Sequence, residues 1–199
     1  MTTPIKTLLL AVVLLFGSSQ VGCAQEFERG LEAAQRGDYA TALKEWRPLA
    51  EQGDADAQYN LGVMYRRGEG VIQDDSEAVK WYRLAAEQGL VEAQNNVGYM
   101  YGLGAGVIED DKEAVKWFLL SAEKGLASAQ YYLGVMYRLG AGVIEDKVYA
   151  HMWWNIAASN GDEMAKKNRN KIANMMTSSQ LEKATDLARE CVKKEYKGC

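Results

Sequence analysis

His151 is the single histidine of this 199-residue chain, and an imidazole that titrates near neutrality is the usual general base or metal ligand. A nucleophile–base pair or a metal site needs partners at matched spacing, and none accompanies it. Its place is the one that Val79 and Val115 take elsewhere in the sequence, which reads as a packing position. The carboxylate pairs Asp74-Asp75 and Asp110-Asp111 could serve acid–base work. Both fall where helices are expected to begin, and there a carboxylate accepts from unpaired N–H groups and meets the positive end of the helix dipole. Gly102-Leu103-Gly104-Ala105-Gly106 resembles a phosphate loop, but a dinucleotide fingerprint needs a preceding strand and a further glycine where Val107 stands. No catalytic residue, metal ligand set or cofactor is expected, so the chain reads as a non-enzyme.

The cysteines offer redox chemistry only weakly, because no C-x-x-C is present. Cys23 falls in an apparent leader, leaving Cys191 and Cys199. An even pair in an exported chain is a candidate disulfide that would tie the last residues to a closing helix. Two unbridged thiols, with Cys191 filling an apolar helix position, fit the sequence as well.

The elements that must hold these residues announce themselves by repetition. Gly62, Gly98 and Gly134 stand 36 residues apart, within NLGVMYRRGEGVIQDD, NVGYMYGLGAGVIEDD and YLGVMYRLGAGVIEDK. A period of this length marks an array in which no unit buries its apolar face alone. In the first copy Ala57, Leu61, Met64 and Tyr65 follow the spacing that gathers apolar groups on one side of a helix, helix A. Gly68 and Gly70 end it. Asp74 and Glu77, repeated as Asp110 and Glu113, form the D-x-x-E pattern of a capping box for a second helix, helix B. Helix B carries Ala78, Trp81, Tyr82 and Ala85 inward and stops near Gly89. Small residues common to all copies (Ala57/Ala93/Ala129, Gly62/Gly98/Gly134, Ala78/Ala114/Ala150) alternate with rings (Tyr65/Tyr101/Tyr137, Trp81/Trp117/Trp153), as close helix packing requires. On this pattern, truncating Trp117 to alanine is expected to cost about 3 to 5 kcal/mol.

The motifs A-x-x-x-L-G-x-M-Y at 57–65, G-x-G-V-x-x-D at 68–74 and A-x-x-W-[YF]-x-x-A-A-E-x-G at 78–89 resemble the Sel-one-like repeat, a relative of the tetratricopeptide repeat. The resemblance implies an all-α, right-handed α-solenoid of stacked antiparallel helix hairpins. Its repeats are expected at 57–92, 93–128 and 129–164, after a degenerate tetratricopeptide-like hairpin at 25–56 and before C-terminal capping helices at 165–199. Ala165 opens the last helix A, and Thr177 with Gln180 would box the start of a closing helix at 177–192.

Residues 1–24 read as a targeting segment: Lys6, an apolar run from Leu8 to Phe16, then Gly22 and Ala24 before a cleavage site. The run is too short to span a bilayer. Export to the periplasm or beyond with ordinary cleavage is expected. The alternative is a lipoprotein acylated at Cys23, although Gln20 sits where that signal wants an aliphatic residue, and a membrane is a partner only in that case. Residues 25–162 hold 13 basic against 22 acidic side chains, and residues 163–199 hold nine against five. The acidic body excludes the concentrated basic face that nucleic acid needs. Lys166, Lys167, Arg169 and Lys171 read as a solvated helix face.

In the tetratricopeptide class helix A lines the inner surface, so the resemblance places a binding groove there. On a helical wheel, positions 59, 60, 63, 66 and 67 face away from the packing stripe, and they vary between copies. The candidates are Tyr59, Asn60, Arg66, Asn95, Asn96, Tyr99, Tyr131, Tyr132 and Arg138, with Tyr131, Tyr132 and Arg138 foremost. Tyr, Asn and Arg combine contact area with hydrogen bonds at modest entropy cost. Asn60 and Asn96 could equally brace the next repeat. The expectation is a protein-interaction adaptor for a peptide or envelope protein. The alternative is a cell-wall glycan-binding module that uses the same tyrosines as sugar platforms.

Overall fold

The computed structural model describes residues 24–199, so the targeting segment expected at 1–24 lies, apart from Ala24, outside the described residues, Cys23 included. The described residues form ten helices and no strand: α1 (24–35), α2 (Tyr39–Glu51), α3 (Ala55–Arg67), α4 (Asp75–Glu87), α5 (Val91–Leu103), α6 (Asp111–Ala122), α7 (Ala127–Leu139), α8 (Lys147–Ser159), α9 (Glu163–Ala173) and α10 (Ser178–Lys193). They fall into two compact units, one ending at Asp74 and one of Asp75–Cys199.

In the N-terminal unit α2 packs on α3. The Trp46 ring covers Gly30, where a Cβ would lie 2.4 Å from the indole nitrogen, and that nitrogen donates to the Phe27 carbonyl at 3.2 Å. The linker between α1 and α2 is three residues, 36–38, whereas that between α5 and α6 is seven, 104–110.

The C-terminal unit is a run of hairpins in which each helix packs on its sequence neighbours from α4 to α9, and α10 returns onto α8. Within a hairpin, a helix A glycine seats a helix B ring. A Cβ on Gly134 would lie 2.4 Å from the Trp154 indole, and one on Gly98 would lie 2.9 Å from Phe118. Between hairpins the A-to-B loop makes the joint. Gly104 ends α5 in the left-handed conformation. Gly106, two residues on, has φ +70° and lies so close to the start of α4 that a Cβ would come within 2.2 Å of the Asp75 carbonyl oxygen. Gly142 stands in the same relation to Asp111 at the start of α6. The second glycine therefore sets the distance between successive repeats, a role beyond the turn expected from sequence.

The caps agree with the sequence in part. Thr177 and Gln180 form the full reciprocal box at α10. Asp110 accepts from the Glu113 N–H at 3.0 Å, but the Glu113 carboxylate is taken by Lys116 Nζ at 2.7 Å, a pairing one helical turn apart that offers a charged donor in place of a neutral amide.

A buried glutamine closes each joint from the other side. Gln94 Nε2 donates to the Ala86 carbonyl at 3.1 Å, and Gln130 Nε2 donates to the Ala122 carbonyl at 3.2 Å, each a second bond to a carbonyl near the end of α4 or α6 that also accepts from the N–H of Gly89 or Gly125. Gln58 does the same for Ala50 at 3.0 Å in the N-terminal unit. Gln130 is better tied than Gln94: its Oε1 accepts from Asn160 at 2.8 Å, whereas the Gln94 Oε1 is buried without a partner. Gln130→Leu is expected to cost about 1 to 3 kcal/mol and Gln94→Leu less, as read by urea unfolding of the two variants. Equal losses would mean that the Asn160 contact adds nothing.

The chain ends by folding back. Cys191 and Cys199 are joined as a disulfide with Cα atoms 5.5 Å apart. Within the loop so closed, the Tyr196 hydroxyl meets the Asn160 amide at 3.3 Å, and the Gly198 N–H donates to Glu123 at 3.2 Å. The α6–α7 and α8–α9 turns are both covered by this tail.

Candidate functional site

The buried stripe of α7 (Ala129, Gln130, Leu133, Gly134 and Met136) leaves Tyr131, Val135, Arg138 and Leu139 on one adjoining face, at the i, i+4, i+7, i+8 spacing of a single helix side. That face looks onto α9, and between the two helices runs an open cavity of about 310 Å³. Trp154, held by its indole N–H donating to the Tyr131 carbonyl at 3.1 Å, joins Val135 and Ile172 in lining it. The Tyr131 hydroxyl lies 3.5 Å from Asn168 Nδ2. Arg138 reaches Glu145 at 3.3 Å with its side chain 38% exposed, and Lys171 stands across the opening on α9.

The structure divides the sequence-predicted residues rather than gathering them. Tyr131 and Arg138 line this groove. Tyr132 does not: its ring stacks on Phe118 at 5.0 Å and meets Tyr99 at 5.7 Å, and burial raises its phenol above the ordinary pKa. Tyr132 and Tyr99, both half-buried, thus meet between α5, α6 and α7 and not in the α7–α9 groove, because one step along a helix turns a side chain by about 100°. Asn95 accepts from the Ser128 hydroxyl at 3.4 Å, joining α5 to α7, so bracing falls to Asn95. Asn96 is half-buried on α5. In the N-terminal unit Asn60 and Val63 help line a second cavity of about 260 Å³ between α1 and α3. Tyr59 and Arg66 are half-buried on α3.

His151 is buried on α8. Its Nδ1 has no hydrogen-bond partner, and burial, then the Arg169 charge, lowers its pKa. A lowered pKa means that the folded state resists protonation. The stability tied to the neutral ring is complete above the unfolded value of 6.5 and is lost as pH falls through the window beneath it. His151→Val, the residue of the other copies, is expected to flatten the fall in melting temperature as pH is lowered below 6.5. Parallel wild-type and variant profiles would show that His151 does not titrate in the fold. Among the described residues, no group of three or more His, Cys, Asp or Glu could hold a metal ion.

Helical hairpins joined through fixed glycines and glutamines, with varied side chains over a groove between successive helix A segments, define a helical repeat protein. The Sel1 repeat model matches residues 55–90, 91–126 and 127–162, more than half of the chain, and the chain belongs to the Sel1 repeat family. Each matched stretch starts where α3, α5 or α7 starts. A crystal structure of a protective antigen from uropathogenic Escherichia coli with an SLR fold is similar, with 40% identity and a TM-score of 0.70 over 76% of this chain. This chain spans only 34% of that protein's length. The Sel1 repeat protein of Oxalobacter formigenes is 41% identical over 65% of this chain and 98% of its own, with a TM-score of 0.59. No curated protein matches the chain. The Sel1 fold is generally a protein–protein interaction scaffold and typically non-enzymatic.

Proposed function

We propose that this protein is an exported adaptor that holds a segment of another protein along the helix A side of its repeats. The observation that carries this reading is the α7–α9 groove. It is an unfilled space of about 310 Å³ beside buried Trp154 and Ile172, overlooked by the variable residues Tyr131 and Arg138. Apolar floors with a few convergent polar groups are where guests bind. The Cys191–Cys199 bond supports export, because disulfides persist in oxidising compartments. The apolar stretch before Ala24 supports it as well. A membrane enters only through acylation of Cys23.

The test is capture of partners by the tagged, exported protein, with chemical crosslinking and mass spectrometry. Tyr131→Ala combined with Arg138→Ala is expected to weaken capture of a protein partner while far-UV helicity stays unchanged. Loss of helicity would assign both residues to the scaffold, and undiminished capture would place the guest elsewhere. The same spectra report the mature N-terminus. A chain retaining residues 1–24 would contradict export with cleavage.

A further inference from the structure

The charge around the α7–α9 groove selects among possible guests. Its floor is apolar, from Val135, Trp154 and Ile172, and its two charged lining residues, Arg138 and Lys171, are both cationic. No carboxylate pairs with Lys171 among the described residues. Arg138 has Glu145 at 3.3 Å, but both side chains are well exposed, at 38% and 54%, and an ion pair in that setting yields readily to a competing carboxylate. The wider charge distribution points the same way. Residues 163–199, which supply α9, hold nine basic against five acidic side chains, while residues 25–162 hold 13 against 22. An acidic segment is therefore drawn to the net-positive stretch that supplies α9.

We propose that the α7–α9 groove binds a linear peptide segment that seats an apolar side chain over Trp154 and Ile172 and sets a neighbouring Asp or Glu between Arg138 and Lys171. The inference rests on the interaction reading above and names the chemistry of its guest. The Tyr131 hydroxyl and the Asn168 amide, 3.5 Å apart, supply a donor and an acceptor for the backbone of that segment. Neutral glycans would use the tyrosine but leave Lys171 without a counter-charge.

The test uses the full chain, a phage-displayed library of random linear peptides, and two variants of α9. Lys171→Glu reverses the charge at the groove. Lys167→Glu makes the same change on the same helix at an exposed residue outside it. Peptides selected on the wild type are expected to pair an apolar residue with an adjacent Asp or Glu. A synthetic peptide of that sequence is expected to bind Lys171→Glu at least about tenfold more weakly and Lys167→Glu almost as well as the wild type. Selection repeated on Lys171→Glu is expected to exchange the acidic residue for Lys or Arg. Peptides without an acidic preference, or equal weakening by the two variants, would overturn the inference and leave the interaction reading standing. Recovery of no peptide at all would overturn both. Circular dichroism of each variant separates these outcomes from misfolding, and a misfolded Lys171→Glu is replaced by Lys171→Gln, for which loss of the acidic preference is expected and its retention overturns the inference.

Discussion

Trp153→Ala is expected to destabilise the Asp75–Cys199 unit by about 3 to 5 kcal/mol. The three repeat tryptophans are identical in sequence and unequal in structure. Trp81 and Trp117 are half-buried, whereas Trp153 is completely buried, in one cluster with Ala188 and Cys191 of α10. Adding α10 to the last hairpin converts a partly wet ring into a core residue, so the effect expected from sequence at Trp117 is greatest at Trp153. The Trp153 Nε1 is buried without a partner, which supplies a control. Trp153→Phe keeps most of the ring, removes the orphan donor and is expected to cost less than about 1.5 kcal/mol. Urea unfolding of both variants checks the pair, and similar losses would show that the indole is not filling the core.

Gly106→Ala is expected to cost about 2 to 5 kcal/mol. Holding alanine in the left-handed region accounts for about 1 to 2 kcal/mol, and forcing a Cβ to within 2.2 Å of the Asp75 carbonyl oxygen accounts for the remainder, at the about 1 to 3 kcal/mol of an overpacked contact. The neighbour is backbone at a helix start, so relief requires the loop and α4 to part. Gly161 isolates the two terms, because it has φ +95° with nothing within 4 Å of its would-be Cβ. Gly161→Ala is expected to show only the conformational cost. Equal destabilisation of the two variants would mean that the second loop glycine is a turn residue and nothing more. Because repeats are stabilised by their neighbours, the Gly106→Ala loss is also expected to appear as faster amide exchange in both α4 and α6.

The helix pairs were legible in the sequence because one period was written three times: a register of small and large residues at 3.6-residue spacing admits only packed helices, and Thr177 with Gln180 states a helix start outright. Contacts between copies were less legible. Gly106 and Gln130 recur as faithfully as the turn and core residues, yet their partners, Asp75 and Ala122, are fixed only when repeats stack. The groove was half legible. A helical wheel separates the packed side from the open side, but it does not say that Tyr132 turns toward Phe118 while Tyr131 turns toward α9, a decision made by the neighbouring helices. Apolar character misleads in the loops. Ile72, Ile108 and Ile144 follow a valine in every copy and are 90%, 90% and 89% exposed, because the tight glycine turn points only one of the two side chains inward.

A photoreactive amino acid at Val135, compared with one at the exposed Leu84 of α4, gives the most direct test of the proposed binding face. Val135 faces the α7–α9 groove, and Leu84 lies on a helix B. Illumination is expected to join a protein partner to position 135 and not to position 84. Crosslinking from 84 alone, or to the same extent from both, would contradict a guest held between successive helix A segments.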